Sequence, residues 1–147
     1  MINFNEIQRY TMGFIFSPDL KTVYLIRKDH PEWQSGFLNG VGGKVREGEN
    51  YDACMAREAQ EEAGYTGAWK NFGVMRGDGW YCPVFYSVMS DGQSAPVTSE
   101  AERIESVDMD DFAEMQGQMI SNVPWLILAA VNHILHEGNK FLLHVTY

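Results

Sequence analysis

Apolar residues gather in two short runs near the start of the chain, Thr11 to Phe16 and Thr22 to Ile26, and Ser17-Pro18-Asp19 between them has turn chemistry. The pair reads as two strands joined by a tight turn. From Lys28 to Gly36 the pattern lapses, and Pro31 and Gly36 mark a loop. Phe37 to Lys44 contains Gly40, Gly42 and Gly43, so its backbone must bend sharply or approach a neighbour closely. Tyr51 to Ala63 is dense in alanine and reads as a helix, with Asn50 as N-cap and Gly64 where a terminating glycine belongs. Trp69 to Val74 and Trp80 to Met89 read as strands about the turn Arg76-Gly77-Asp78-Gly79. Asp91 to Ser99 reads as loop and Arg103 to Val107 as a further strand. A second helix is expected from near Asn122, with Pro124 in its first turn, to about His136 before Gly138. Lys140 to Tyr147 reads as a terminal strand. Strands interrupted by two helices predict a mixed α/β domain with helices packed on a sheet.

Length and composition narrow this picture. At 147 residues, without an internal repeat or a linker-like tract, the chain is expected to form one domain, residues 1–147, able to bury a sizeable core. No apolar run approaches the roughly 20 residues that span a bilayer. Met1 to Tyr10 lacks the pattern of a signal peptide, so no membrane association is expected. Cys54 and Cys82 form no CxxC pair, which argues against a disulfide framework or zinc site and for a reducing cytoplasm. The net charge of −9 disfavours nucleic-acid binding through a basic patch. Small phosphorylated substrates remain open, because acidic residues can hold metal ions that carry the phosphate charge.

The chemistry concentrates in Gly43 to Tyr65, GKVREGENYDACMAREAQEEAGY. Glu58, Glu61 and Glu62 stand at i, i+3 and i+4 of the expected helix, which puts all three carboxylates on one face. Such a run is either a solvated acidic surface or a site for a compensating cation, and Mg²⁺ favours carboxylate oxygens together with water and phosphate. Arg57 precedes Glu61 by four residues and is placed to hold a neighbouring carboxylate. Glu49 lies just before the helix, where a negative group complements the helix dipole.

The spacing decides between the two readings. Gly43, five residues, Glu49, seven residues, Arg57-Glu58, then Glu61-Glu62 and Gly64 resembles the Nudix box, with departures only at small Ala59 and aromatic Tyr65 where bulky aliphatic residues are usual. The resemblance implies an α/β/α sandwich with a mixed sheet, in which the box forms a loop-helix-loop. It implies attack of water on a phosphorus of a diphosphate linkage, with Mg²⁺ as cofactor and Mn²⁺ as a substitute. Carried over to this chain, Glu58, Glu61 and Glu62 are metal ligands, joined by the Gly42 carbonyl. Arg57 orients a glutamate, Lys44 contacts phosphate, and Gly43, Glu49 and Gly64 are structural members of the box. The general base is a box glutamate, Glu58, or a later one, Glu100 or Glu102. Each of these later glutamates, and Glu105 with them, reads equally well as a surface charge.

Phe37-Leu38-Asn39-Gly40-Val41-Gly42-Gly43-Lys44 is similar to the approach to the box in the oxidised purine nucleoside triphosphatases. There an asparagine contacts the base. Asn39 falls on that position, and an amide carries both donor and acceptor, although a turn residue before Gly40 would look the same. Asn122 is either a second base contact or the N-cap of the second helix. Trp125 either stacks on a base or belongs to the core. The acidic pair of that group is not obvious, since Ser121 and Asn122 occupy its positions. The expected activity is conversion of a nucleoside triphosphate to monophosphate and pyrophosphate. Hydrolysis of ADP-ribose, a dinucleoside polyphosphate or a nucleotide sugar is the alternative. A non-catalytic nucleotide-sensing module is disfavoured by the intact box. Homodimerisation stays open.

Overall fold

The computed structural model describes residues 7–99 and 102–146. Its strands are β1 (Gln8–Phe16), β2 (Thr22–Arg27), β3 (Leu38–Asn39), β4 (Val41–Lys44), β5 (Lys70–Gly77), β6 (Trp80–Val88), β7 (Arg103–Asp108) and β8 (Phe141–His144). Its helices are α1 (Tyr51–Ala63), the one-turn α2 (Phe112–Met115) and α3 (Val123–His136). The strands form one mixed sheet in which β1 pairs with β6, and β5 with β8, in parallel. The remaining pairings are antiparallel.

The sheet opens where it matters. β1 and β2 pair only through Ile15 with Tyr24 and Phe16 with Val23, and then diverge. The segment Leu38–Lys44 fills the split: β3 joins β2, the chain turns at Gly40, and β4 joins β1. This run delivers Gly42, Gly43 and Lys44 to the approach to α1.

Strand alternation sorts side chains to two faces. On one face Ile15, Ile26, Val41, Phe85 and Met89 pack with Met55, Ala59 and Ala63 of α1. On the other, Phe14, Phe16, Val23, Leu25, Phe72, Val84 and Tyr86 pack with Val123, Leu126, Ile127 and Ala130 of α3. The result is the expected α/β/α sandwich. Each cysteine is a buried free thiol. None of the helices among the described residues is long and apolar enough to cross a membrane.

Both helices carry their own boundary signals. The Asn50 side chain accepts from the Ala53 N–H at 2.8 Å, which satisfies an otherwise unpaired donor of the first turn. Gly64, with φ 57°, ends α1 by donating its N–H to carbonyls of the last turn. The small Ala59 and large Tyr65 of the box compensate each other in packing. Ala59 is fully buried, and Tyr65 fills the layer with its hydroxyl 2.6 Å from Ser87 Oγ.

Some boundaries differ from the sequence reading. Arg76 and Gly77 belong to β5, and the turn is the two residues Asp78-Gly79, because the hairpin pairing continues to Gly77 opposite Trp80. The loop after β2 contains a 3₁₀ turn at Glu32–Gln34. The stretch after β7 contains α2 between two 3₁₀ turns, which bury Phe112 and Met119. These turns are too short to show a helical period. Asn122 precedes α3, but its side chain makes no capping bond.

Gly42 adopts φ 155°, and a Cβ there would lie 2.0 Å from the Thr11 carbonyl oxygen on β1. Gly42→Ala should therefore lower stability by about 3 kcal/mol or more, read as a shifted denaturant midpoint at unchanged m-value. A midpoint like that of the parent chain would show that β1 and β4 can move apart freely.

Candidate active site

α1 presents its charged residues just outside its buried stripe. Cys54, Met55, Ala59 and Ala63 face the sheet, Glu58 and Glu62 flank them half-buried, and Glu61 is 49% exposed. The three box glutamates thus do not share one environment, although they share one side of the helix.

Arg57 organises the near side of the cluster. Its Nε and Nη2 donate to the two carboxylate oxygens of Glu49 at 2.7 and 3.0 Å, a bidentate pairing. Its Nη1 donates to Glu58 Oε1 at 2.9 Å and Glu61 Oε2 at 3.1 Å, and Nη2 also reaches the Lys44 carbonyl at 3.1 Å. The guanidinium beside it, with the Arg46 backbone N–H, holds the Glu49 carboxyl down to about 2. The same hydrogen bonds push Arg57 further up its already high range. Glu58 lies close against the Gly43 backbone, where a Cβ would come 2.5 Å from its Oε1. Arg57 therefore ties the loop before the helix to two of its carboxylates.

The far side is drier. Glu62 has a buried carboxylate oxygen, Oε2, without a hydrogen-bond partner, and Glu102 has another. Burial raises the Glu62 carboxyl to about 9, contact with Glu58 adds to the rise, Lys28 opposes it, and the charges of Glu58 and Glu102 add again. Glu102 is only 6% exposed, and its Oε1 accepts from Lys28 Nζ at 3.1 Å. Two buried carboxylates with unsatisfied oxygens side by side fit a divalent cation better than they fit one another. Among the described residues, no group of three or more His, Cys, Asp or Glu side chains stands placed to hold a metal ion, so the side chains as they stand do not form a finished cation site.

The residues picked out from the sequence separate here. Glu49, Arg57, Glu58, Glu61, Glu62 and Glu102 come together. Glu100 lies outside the described residues. Glu105 sits on the opposite face of the sheet, paired with Arg27. The Lys44 side chain is exposed at the end of β4, and Gly42 lies in mid-strand beside Met12. Asn39 is buried on β3; its Oδ1 accepts from the Gly40 N–H at 2.8 Å and its Nδ2 donates to Gln34 Oε1 at 3.1 Å. Asn122 directs Nδ2 to Met75 Sδ at 3.2 Å and leaves Oδ1 buried and unpaired. Trp125 is 47% exposed on the outer side of α3, edge-on to Phe141 with centroids 4.8 Å apart, rather than in the core. Lys28 was missed because the loop reading began at it. Alternation along Tyr24, Ile26 and Lys28 places it on the α1 face, and the same alternation places Glu102 there ahead of Ile104.

Comparison with known proteins identifies the family and the fold. The NUDIX domain family model matches residues 7–126: the chain belongs to the Nudix family and is a pyrophosphohydrolase. No curated protein sequence matches it. Among solved structures, a MutT from a study of the Aliivibrio salmonicida and Vibrio cholerae proteins superposes with a TM-score of 0.70 at 24% identity, covering 85% of this chain and 98% of its own. The NUDIX domain of Shewanella oneidensis NrtR, solved with ADP ribose, gives 0.73 at 16% identity, covering 87% and 88%. A NUDIX hydrolase from Nitrosomonas europaea gives 0.74 at 12% identity, covering 99% and 83%. At these identities the likeness concerns the fold. Nudix hydrolases generally use divalent metal ions and bind small nucleotide substrates.

A carboxyl group raised from 4.5 to about 9 on folding is stabilising while protonated. That contribution is fully present below pH 4.5 and lost as pH climbs toward 9. In chelator, the melting temperature should accordingly fall across this window, against whatever background the other groups set. Glu62→Gln mimics the protonated form and should flatten the fall. Parallel pH profiles for the two proteins would place the Glu62 carboxylate in water.

Proposed function

We propose that this chain hydrolyses a nucleoside triphosphate to the monophosphate and pyrophosphate. The observation that carries the reading is the pair of unpaired, buried carboxylate oxygens on Glu62 and Glu102 beside an intact box. Glu58, Glu61 and Glu62, with Glu102 and the Gly42 carbonyl, would hold Mg²⁺, or Mn²⁺ in its place. When bound, the metal supplies charge neutralisation at the phosphates and a more acidic water. Arg57 fixes Glu58 and Glu61 for that purpose, and Lys44 stands exposed where it can meet phosphate. Glu58 and Glu102 are the described carboxylates suited to take a proton from the attacking water.

Two amides support a base as part of the substrate. Asn39 is locked by Gln34 and Gly40, so its remaining N–H and lone pair point in fixed directions. Asn122 holds an acceptor without a partner, which a base N–H would satisfy. Trp125 is left out of the proposed pocket because its ring is engaged by Phe141. A reducing, cytoplasmic setting suits the two free thiols.

The test is a substrate panel in Mg²⁺ with products separated by chromatography: normal and oxidised nucleoside triphosphates, ADP-ribose, a dinucleoside polyphosphate and a nucleotide sugar. One triphosphate should yield monophosphate and pyrophosphate far faster than the rest. Turnover of the linked diphosphates alone would overturn the substrate assignment and leave the metal site standing. On the best triphosphate, Asn39→Ala should raise KM or reorder the base preference; an unchanged ranking would return Asn39 to a purely local role.

Glu61→Gln tests the metal assignment separately. A neutral amide is a poor ligand for a hard cation, so kcat should fall roughly 100-fold with the fold retained. Near-parental turnover would remove Glu61 from the metal shell.

A further inference from the structure

Lys28 is the one cation found at the dry side of the carboxylate cluster among the described residues. Its side chain is 15% exposed, and its Nζ donates to Glu102 Oε1 at 3.1 Å. It also acts on Glu62, whose charge it favours against burial, Glu58 and Glu102. The lysine backbone is pinned from both sides: its N–H donates to the Phe37 carbonyl at 2.9 Å, and its carbonyl accepts from the Gly36 N–H at 2.8 Å. This fixes the root of the side chain at the end of β2, so the ammonium reaches the cluster from a rigid base. Arg57 serves only the other side, bonded to Glu49, Glu58 and Glu61.

We propose that Lys28 is the resident counter-ion of this site, occupying electrostatically the place a divalent cation takes. The inference rests on the assignment of Glu62 and Glu102 to the metal shell. An ammonium carries one charge and satisfies one oxygen of Glu102, while Oε2 of Glu102 and Oε2 of Glu62 stay without partners. A divalent ion offers twice the charge and several coordination positions to the same oxygens. The two cations compete for the same carboxylates at close range, in a setting where charges are weakly screened. Lys28 thereby sets metal affinity: it stabilises the metal-free chain and opposes loading. It is a positioning residue for Glu102, not a catalytic one.

The experiment is Mn²⁺ titration at pH 8, followed by electron paramagnetic resonance of the free ion, together with melting temperatures in chelator and in excess Mn²⁺. Lys28→Met should bind Mn²⁺ roughly tenfold more tightly than the parent chain. It should melt lower in chelator and gain more from Mn²⁺. Lys28→Arg keeps the charge and should restore parental affinity. Lys21→Met, which removes the same charge from the exposed β1–β2 turn, should leave affinity unchanged. Equal or weaker Mn²⁺ binding by Lys28→Met would overturn the proposal, as would equal tightening by Lys21→Met. If Lys28→Met does not fold, weaker Mn²⁺ binding or a lower chelator melting point for Lys28→Arg is expected to be absent, and its presence would count against the charge argument. A parent chain that binds no Mn²⁺ would instead sink the metal assignment itself.

Discussion

Like charges gathered on a half-buried helix face must be compensated, and the architecture around α1 follows from that constraint. Glu49, Glu58, Glu61, Glu62 and Glu102 would repel one another if left alone. Arg57 solves half of the problem with a planar fork that serves three carboxylates and a carbonyl at once. A lysine could not make this set of bonds, since it has no fixed fork. The other half is solved with a single ammonium and remains incomplete, with two carboxylate oxygens unsatisfied. Functional sites are where such incompleteness persists, because the missing partner arrives with the ligand.

The sheet is shaped to this end. The divergence of β1 from β2 creates the opening that β3 and β4 bridge, and the bridge carries the box glycines to within reach of Glu58. β2 and β7 pair along their length, so that Lys28 and Glu102 emerge next to each other at the end of the ladder. The box helix supplies carboxylates from one contiguous segment; the sheet supplies the remaining two groups from far apart in the chain. Packing of Ala59, Met55 and Ala63 on Ile15, Ile26 and Phe85 holds the two sources in register.

The box was legible because its information is local. Helix caps, the i, i+3, i+4 spacing and the fixed glycines lie within Gly43 to Tyr65, and the structure places them as the spacing implies. The layer arrangement was legible as a consequence of the family resemblance. The pairing of Lys28 with Glu102 was not, since it depends on which strand lies beside which. Of the two readings of Asn122, base contact or helix cap, the structure removes the cap: its side chain makes no capping bond, and its amide meets Met75 instead. Trp125, open in the sequence between base stacking and core, is turned outward to Phe141 by its phase on α3. α2 escaped notice since a single turn leaves no period to read.

The parallel pairing of β1 with β6 has a consequence for how the chain is made. Residues 8–16 find their long-edge partner only in residues 80–88, so the centre of the sheet cannot close until that later strand has left the ribosome. The box helix emerges before it, with its acidic face already written and no completed sheet to rest on. A nascent segment of this kind is held by what lies within itself: the Asn50 cap, the Gly64 stop and the salt bridges that Arg57 makes to Glu58 and Glu61. The residues that prepare the site thus also bias this segment toward helix before the sheet closes, at the stage when unpaired strand edges are most exposed to wrong partners.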